Sequence, residues 1–302
     1  MPASRSVTAA RDVPLAELRQ VLSEDPPPET VINHVGLQRV GPCAVITLAR
    51  PEQHNALSLA SWRQMSAFAE DVATDPQLRV VLLRGAGGEA FGAGADIAEF
   101  PKKRMTARTA VIYNEAVTRA LTTLAGITIP VIALIDGLAV GGGLEVASAC
   151  DLRIATDRSR FGIPIGRLGV ALGMVEGTAL SRLMGPAELK YLLYTGRLID
   201  ADRALRIGLI QGLVSPDSLI DETIDLVASI ASASLPTIQA AKAVADMTTR
   251  PATARDTEKL AQILVEIYEG CDLAEGVAAF LERRAPEFPS QRFDDSHANG
   301  KA

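Results

Sequence analysis

The chain has 302 residues, with 30 Lys and Arg against 36 Asp and Glu and a formal net charge of −6. Its 48% hydrophobic and 22% charged residues are typical of a soluble globular protein with one large or two small domains. The mild acidity argues against a nucleic-acid partner, no stretch reaches the ~20 apolar residues of a membrane span, and three separated cysteines indicate neither disulfides nor zinc.

The N-terminal region carries no recognisable targeting signal. It has no apolar segment of a secretory signal, and its acidic residues count against a transit peptide, so we expect a cytoplasmic protein. Residues 1–30 are predicted to be a mobile extension with one short helix at residues 15–22. The ordered body is then expected to open with a hairpin, whose strands at residues 35–40 and 44–48 flank a Gly-Pro turn.

Apolar runs and helical patterns alternate after the hairpin. A helix capped by Ser58 has one apolar face and ends before Pro76. Further along the chain, buried strands are predicted at residues 80–83, 130–135 and 152–155, and helices at residues 106–124 and 144–149. Strand, loop, helix and strand in this order are typical of crossover units with a mainly parallel sheet, which gives an α/β fold class.

The second half of the chain is helical. The pattern predicts helices at residues 176–184, 187–193, 201–207, 218–233, 238–247, 256–269 and 273–284. We therefore expect an α/β core over residues 31–215, a helical C-terminal region over residues 216–288, and a polar tail over residues 289–302.

Two glycine-rich loops follow predicted strands. The first contains FGAGAD at residues 91–96, and the second is GLAVGGGLE at residues 137–145. In open α/β sheets, ligands bind beyond the carboxyl ends of the strands, and glycines allow close approach to the backbone. If Gly142 and Gly143 begin a helix, their N–H groups point outward. With a second N–H from residues 94–96, they would form an oxyanion hole for an enolate.

Two other interpretations of these loops exist. Both loops can be tight turns whose glycines serve packing alone. The first loop also contains GAGGEA at residues 85–90, which matches a dinucleotide-binding G-x-G-x-x-A pattern. Against that, no helix is predicted directly after Ala90, and no acidic residue closes a second strand about twenty positions on. The signatures of P-loop NTPases and serine hydrolases are absent from the sequence.

The motifs taken together resemble the enoyl-CoA hydratase/isomerase (crotonase) family. They are RP at residues 50–51, NAL at 55–57, FGAGADI at 91–97, GLAVGGGLE at 137–145, FG at 161–162 and EGVAAF at 275–280. The resemblance covers roughly residues 31–288. It implies a crotonase-like spiral of ββα units, with a helical C-terminal region for trimerisation and for covering the active site. It also implies an acyl-CoA thioester substrate, no metal or other cofactor, and a homotrimer or dimer of trimers.

The resemblance also assigns residues to the site. The oxyanion hole would be the N–H groups of Ala95 and Gly142, and Glu145 would hold and deprotonate a water. The alternative for Glu145 is a first-turn acid that complements the helix dipole. Lys102 and Lys103 would help to neutralise the negative charge of CoA. Residues implied to bind the substrate are Ala56, Leu57, Ala93, Asp96, Ile97, Ala98 and Gly141.

One position departs from the family pattern. Hydratases of the family carry a second glutamate at the end of a Phe-Gly-x-Pro-Glu stretch, and this chain has FGIPI at residues 161–165. Ile165 can neither donate nor accept the α-proton, and in the family's isomerases the same position carries the main base. Glu176 is the nearest sequence candidate for a replacement acid, against the alternative of a surface or interface residue.

Three functional hypotheses remain from the sequence. The first is an enoyl-CoA hydratase-like lyase that uses Glu145 and the oxyanion hole. The second is decarboxylation or C–C cleavage through the same enolate, motivated by Ile165. Isomerisation through that enolate is a further alternative, for which Ile165 leaves the chain poorly equipped. The third is a non-catalytic acyl-CoA binder, against which the retained Glu145 argues.

Overall fold

The computed structural model describes residues 13–249 and 253–288. Within these ranges seven strands form the larger sheet, in the order β1 (Val31–Ile32), β2 (Val35–Val40), β3 (Cys43–Leu48), β4 (Val80–Gly85), β6 (Val131–Ile135), β8 (Leu152–Thr156) and β11 (Gly212–Val214). The first three pair antiparallel, and from β3 onward all neighbours are parallel. The predicted hairpin and the mainly parallel sheet are confirmed.

A second sheet lies within the segments that the sequence presents as loops. Four short strands of the described chain form it, in the order β10 (Ile199–Asp200), β9 (Arg160–Gly162), β7 (Leu138–Val140) and β5 (Ala90–Gly92). Strands β5, β7 and β9 are parallel, and β10 joins them antiparallel. The chain therefore passes repeatedly from a strand of the large sheet to a strand of the small one, as a spiral of ββα units requires.

The predicted helices are confirmed to within a few residues. Those of the described ranges are α1 (Leu15–Ser23), α2 (Leu59–Thr74), α3 (Phe100–Lys103), α4 (Ala107–Ala125), α5 (Gly142–Ser148), α6 (Met174–Thr195), α7 (Ala201–Arg206), α8 (Leu219–Ser232), α9 (Leu235–Met247), α10 (Ala254–Glu269) and α11 (Asp272–Glu282). Ser58 caps α2 by accepting a hydrogen bond from the Ser61 N–H. Helix α6 bends at Gly185, which has φ 79°, so it contains two of the predicted helices.

The large sheet is buried on both faces. In β3, Ala44 and Ile46 belong to the main core with α2 and α4, whereas Cys43 and Val45 face the opposite side. Neighbouring strands alternate in the same way, because successive side chains of a strand point to opposite faces. A parallel sheet of this kind needs a covering layer on each face.

Helix α1 belongs to the covering layer of the second face, which corrects the prediction of a mobile extension for its described part. Leu18 is 0% exposed and Leu22 6%, and both pack with the strands. The Arg84 guanidinium of β4 donates to backbone carbonyls of Leu22 and Glu24, which fastens the end of α1 to the sheet. Residues before Val13 lie outside the described part of the chain.

Helix α8 covers the same face. Val227 is buried in the same cluster as the strands, and α8 contacts α1, β4 and β8. The predicted boundary after residue 215 therefore cuts through a packed layer, and the core extends at least to α8. The predicted polar tail at residues 289–302 lies outside the described residues.

No single helix of the described residues has the length and apolar composition needed to cross a membrane. One pair, Pro216–Ser232 with Leu235–Met247, meets these requirements jointly but is bent by 107°.

Candidate active site

The small sheet brings the two glycine-rich loops together. Strands β4 and β6 are neighbours in the large sheet, and the chain leaving each of them enters β5 and β7, which pair in parallel. Helix α5 begins two residues after β7. A Cβ on Gly143 would lie 2.0 Å from the Gly92 carbonyl oxygen, so the first turn of α5 can rest on β5 only because residue 143 is glycine.

The backbone of Leu57 fixes the orientation of Ala95. The Leu57 N–H donates to the Gly94 carbonyl at 2.7 Å, and the Asp96 N–H donates to the Leu57 carbonyl at 2.8 Å. Both bonds belong to an isolated parallel bridge between Leu57 and Ala95. Because amide groups alternate in direction along an extended chain, the N–H of Ala95 points away from Leu57.

The second N–H group is that of Gly142, the first residue of α5, where no preceding turn supplies an acceptor. A Cβ on Gly94, which has φ +108°, would lie 3.5 Å from the Gly142 nitrogen and 3.7 Å from the Gly141 Cα. The two loops are therefore in contact. Within the described ranges, neither the Ala95 nor the Gly142 N–H donates to a protein acceptor. Two adjacent unused donors can hold one oxyanion.

Other predicted substrate-binding residues lie on the same loop pair. The Ala56 N–H donates to Gln53, and the Ala93 N–H donates to His54, which joins residues 53–57 to residues 93–96. Ile97 is half exposed and Ala98 is exposed, whereas Leu57 is fully buried. Leu57 thus contributes its backbone to the site. Gly141 uses its own N–H on the Gly162 carbonyl and lies beside Gly94.

Buried polar contacts hold the first loop in place. Arg50 Nη1 donates to Asp96 Oδ2 at 2.7 Å, and Asp96 Oδ1 accepts from the Ala98 N–H at 3.0 Å. The buried Asn55 side chain donates to the carbonyls of Ala86 and Ala90. The Asp96 carboxylate is therefore occupied by contacts within the protein, and its effect on a ligand comes through loop position.

Glu145 lies in the first turn of α5, three residues after Gly142, and is partly buried. Burial and, to a smaller extent, the negative charge of Glu176 raise the pKa of Glu145 from 4.5 to about 7, and the positive charge of Arg104 opposes this rise. A carboxyl group with a pKa near the working pH is suited to general acid-base catalysis. This geometry favours a chemical role over simple dipole complementation.

Arg104 and Tyr113 lie in the segment 102–113 that was expected to line the pocket, although no sequence motif singled out either residue. The Arg104 guanidinium lies 4.7 Å from the centre of the Tyr113 ring and 5.1 Å from that of Phe100. The Tyr113 hydroxyl donates to the Leu57 carbonyl at 3.2 Å, which supports the strand segment that orients Ala95. Neither residue belongs to a glycine motif, so the motifs did not point to them. An arginine placed between two aromatic residues in the sequence can nevertheless indicate a cation–π contact.

Ile165 and Glu176 lie in different surroundings, and both are at least partly buried. Ile165 is partly buried and packs on the main core. Glu176, in the first turn of α6, is 7% exposed, and α6 packs against α5, which carries Glu145. The alternative of a surface residue for Glu176 is therefore wrong.

The two lysines expected to contact CoA are exposed, and the described residues contain no cluster of metal-binding side chains. Lys102 and Lys103 end the short helix α3 and are exposed, so they are accessible to an anion. Among residues 13–249 and 253–288, no three His, Cys, Asp or Glu side chains are grouped to hold a metal ion.

Comparison with known proteins gives one consistent family. A family model described as Enoyl-CoA hydratase/isomerase matches residues 39–291. The chain is 38% identical to a short-chain-enoyl-CoA hydratase of Clostridium acetobutylicum, over 67% of this chain and 76% of that protein. It is 33% identical to a crotonyl-CoA hydratase of Syntrophomonas wolfei, over 86% of this chain and 99% of that protein.

A solved structure agrees with these sequence matches. The crystal structure of an enoyl-CoA hydratase/carnithine racemase from Magnetospirillum magneticum is 35% identical, with a TM-score of 0.80. The match covers 85% of this chain and 96% of that one. The two folds therefore agree over most of both chains.

Proposed function

The chain belongs to the enoyl-CoA hydratase/isomerase family, and from this premise we propose that it hydrates a 2-enoyl-CoA. The reaction adds water across the C2=C3 double bond and gives a 3-hydroxyacyl-CoA. The observation that carries the proposal is the pair of unused N–H groups, on Ala95 and Gly142, in two adjoining loops with Glu145 one turn away.

The two N–H groups would bind the thioester oxygen. When water attacks C3, the π electrons move toward the thioester and the oxygen becomes the oxyanion of an enolate. Donors already fixed by the Leu57 bridge and by the start of α5 stabilise that charge without reorganising. Loss of one such donor is worth about 3–4 kcal/mol in the transition state.

Glu145 would act as the general base. Its carboxylate takes a proton from water while the water oxygen bonds to C3. The raised pKa, about 7, makes the carboxylate a stronger base than an exposed glutamate, and Arg104 limits the rise. Removing a positioned acid-base group of this type typically costs about 10²–10⁴-fold in rate.

Further parts of the proposal rest on the family resemblance. Ala56, Ala93, Ile97, Ala98 and Gly141 would surround the CoA thioester, and CoA would be the only cofactor-like group required. We also keep the predictions of a cytoplasmic homotrimer or dimer of trimers. Exposed apolar side chains on the C-terminal helices, among them Tyr268, Phe280 and Leu281, support an assembly through that region.

The direct test is loss of enoyl absorbance with purified protein and a panel of 2-enoyl-CoAs, starting with crotonyl-CoA and extending to longer and branched chains. We expect turnover with at least one member and its loss in Glu145→Gln. The exposed Glu115 of α4 supplies a control, Glu115→Gln, which should retain full activity. Undiminished turnover in Glu145→Gln would exclude the role assigned to this residue.

Ile165 favours one other reaction through the same enolate, decarboxylation or C–C cleavage, because hydration in this family uses a glutamate there. Malonyl-type and β-keto acyl-CoAs belong in the same panel, with products identified by mass spectrometry. Product from these and not from enoyl-CoAs would replace hydration by this alternative. Acyl-CoA binding by calorimetry without any product would indicate a non-catalytic binder.

A further inference from the structure

Glu176 is an unusual carboxylate for the first turn of a helix. Its neighbour Met174 is 83% exposed, whereas Glu176 is 7% exposed. The Oε2 atom of Glu176 is buried and has no hydrogen-bond partner among the described residues. A buried polar atom without a partner carries a large desolvation cost, so its presence requires a reason.

A capping role does not supply that reason. Glu176 is the third residue of α6, the position from which a glutamate can accept from the N-cap backbone N–H. The N-cap is Gly173, and no side-chain cap hydrogen bond forms at this end of the helix. The carboxylate instead lies against the backbone of Gly173, where an added Cβ would be 2.4 Å from Oε2. Residue 173 thus leaves space for the carboxylate.

The surroundings connect Glu176 to the site. Helix α6 packs on α5, and the charge of Glu176 is the largest contribution after burial to the raised pKa of Glu145. Arg104 is the other charged group that acts on Glu145. Two carboxyl groups therefore act on each other across the contact between these two helices.

We propose that Glu176 is the second proton-transfer residue of the site and serves the substrate α-carbon, in place of the side chain missing at Ile165. This inference rests on the proposed hydration. Glu145 removes a proton from water as the C3–O bond forms and the enolate appears at the thioester. The Glu176 carboxyl group then delivers its proton to C2, the enolate electrons re-form the thioester carbonyl, and the proton on Glu145 passes to Glu176 to restore the starting state.

The first test is hydration by Glu176→Gln beside the wild type and Glu115→Gln. We expect kcat to fall by about 10²–10⁴-fold with KM changed by less than about threefold, because the amide fills the same space and transfers no proton. A purely structural role for Glu176 would lower the content of active enzyme and leave kcat per active enzyme unchanged.

A second test does not require hydration. Butyryl-CoA, incubated with the protein in D2O, should gain deuterium at C2 through the enolate, measured by mass spectrometry. Glu176→Gln should lose this exchange while binding butyryl-CoA normally by calorimetry, and Glu145→Gln should retain it. Exchange that depends on Glu176 in an enzyme that hydrates nothing would support this inference and reject the proposed function. Hydration and exchange that persist in Glu176→Gln would reject this inference and leave hydration standing, and absence of both in the wild type would reject both.

Discussion

Glu145→Gln is predicted to lower activity by about 10²–10⁴-fold and to stabilise the protein increasingly as pH rises above 4.5. In the folded state, burial and the nearby Glu176 raise the pKa of Glu145 from 4.5 to about 7. The folded protein therefore holds the Glu145 proton more tightly than the unfolded chain does. At pH values below 4.5 both states are protonated and no penalty exists. As pH rises from 4.5 to about 7 the unfolded state gains stability from ionisation and the folded state does not, so the free energy of unfolding falls.

The size of the effect follows from the two pKa values. Each pKa unit corresponds to about 1.4 kcal/mol, so the penalty is about 1 kcal/mol at pH 5 and reaches about 3 kcal/mol at pH 8. A glutamine has nearly the same shape and does not ionise. The stability gain of Glu145→Gln over the wild type should therefore widen by about 2 kcal/mol between pH 5 and pH 8.

The assay is urea unfolding of the wild type, Glu145→Gln and the exposed control Glu115→Gln at both pH values, followed by circular dichroism. We expect the Glu145→Gln midpoint to move away from the wild-type midpoint as pH rises, whereas that of Glu115→Gln should not. If the unfolding midpoints of Glu145→Gln and the wild type differ by the same amount at pH 5 and pH 8, then Glu145 is not buried close to another negative charge. Such a result would also remove the reason for treating it as the tuned base.

Three further outcomes are expected. The rate kcat/KM for enoyl-CoA hydration should rise about tenfold from pH 6 to a plateau above pH 7, as Glu145 ionises, and a profile flat over this range would contradict the assignment. Gly142→Ala should lower kcat by at least about 10²-fold, because its Cβ would lie 2.8 Å from Trp62 Cζ2 and displace the N–H donor; Gly166→Ala, with only an ordinary 3.5 Å contact, is the control. Leu18→Ala should lower the free energy of unfolding by about 2–5 kcal/mol while leaving KM unchanged, and denaturation curves that match the wild type would show that α1 does not cover the sheet.

Local patterns were sufficient for the helices, for the longer strands and for the two glycine-rich loops. The apolar periodicity of α2, its Ser58 cap and the short apolar runs of β4 and β6 depend on nearby residues, so they could be predicted from the chain alone. The glycines at residues 141–143, Glu145 one turn later, and the isoleucine at position 165 are likewise visible in the sequence.

The tertiary structure decided what depends on distant contacts. Strands β5 and β7 are three residues long, too short for a pattern, and exist because they pair with each other. Helix α1 looks like a short amphipathic segment in an extension, but the second face of the sheet buries Leu18 and Leu22. Burial depends on which surfaces meet in space, and local sequence does not encode that directly.

Glu176 likewise has a position that the sequence shows and an environment that only the folded structure shows. From the sequence it was only an acidic residue near Ile165, the position at which the family's second glutamate is missing. The alternative was a surface or interface residue. In the folded chain its side chain is buried, α6 packs on α5, and Oε2 has no hydrogen-bond partner among the described residues. The sequence by itself determined the fold class, the two donor loops and the missing glutamate. Only the folded chain places the helices that carry residues 145 and 176 in contact, because that contact is a property of helix packing.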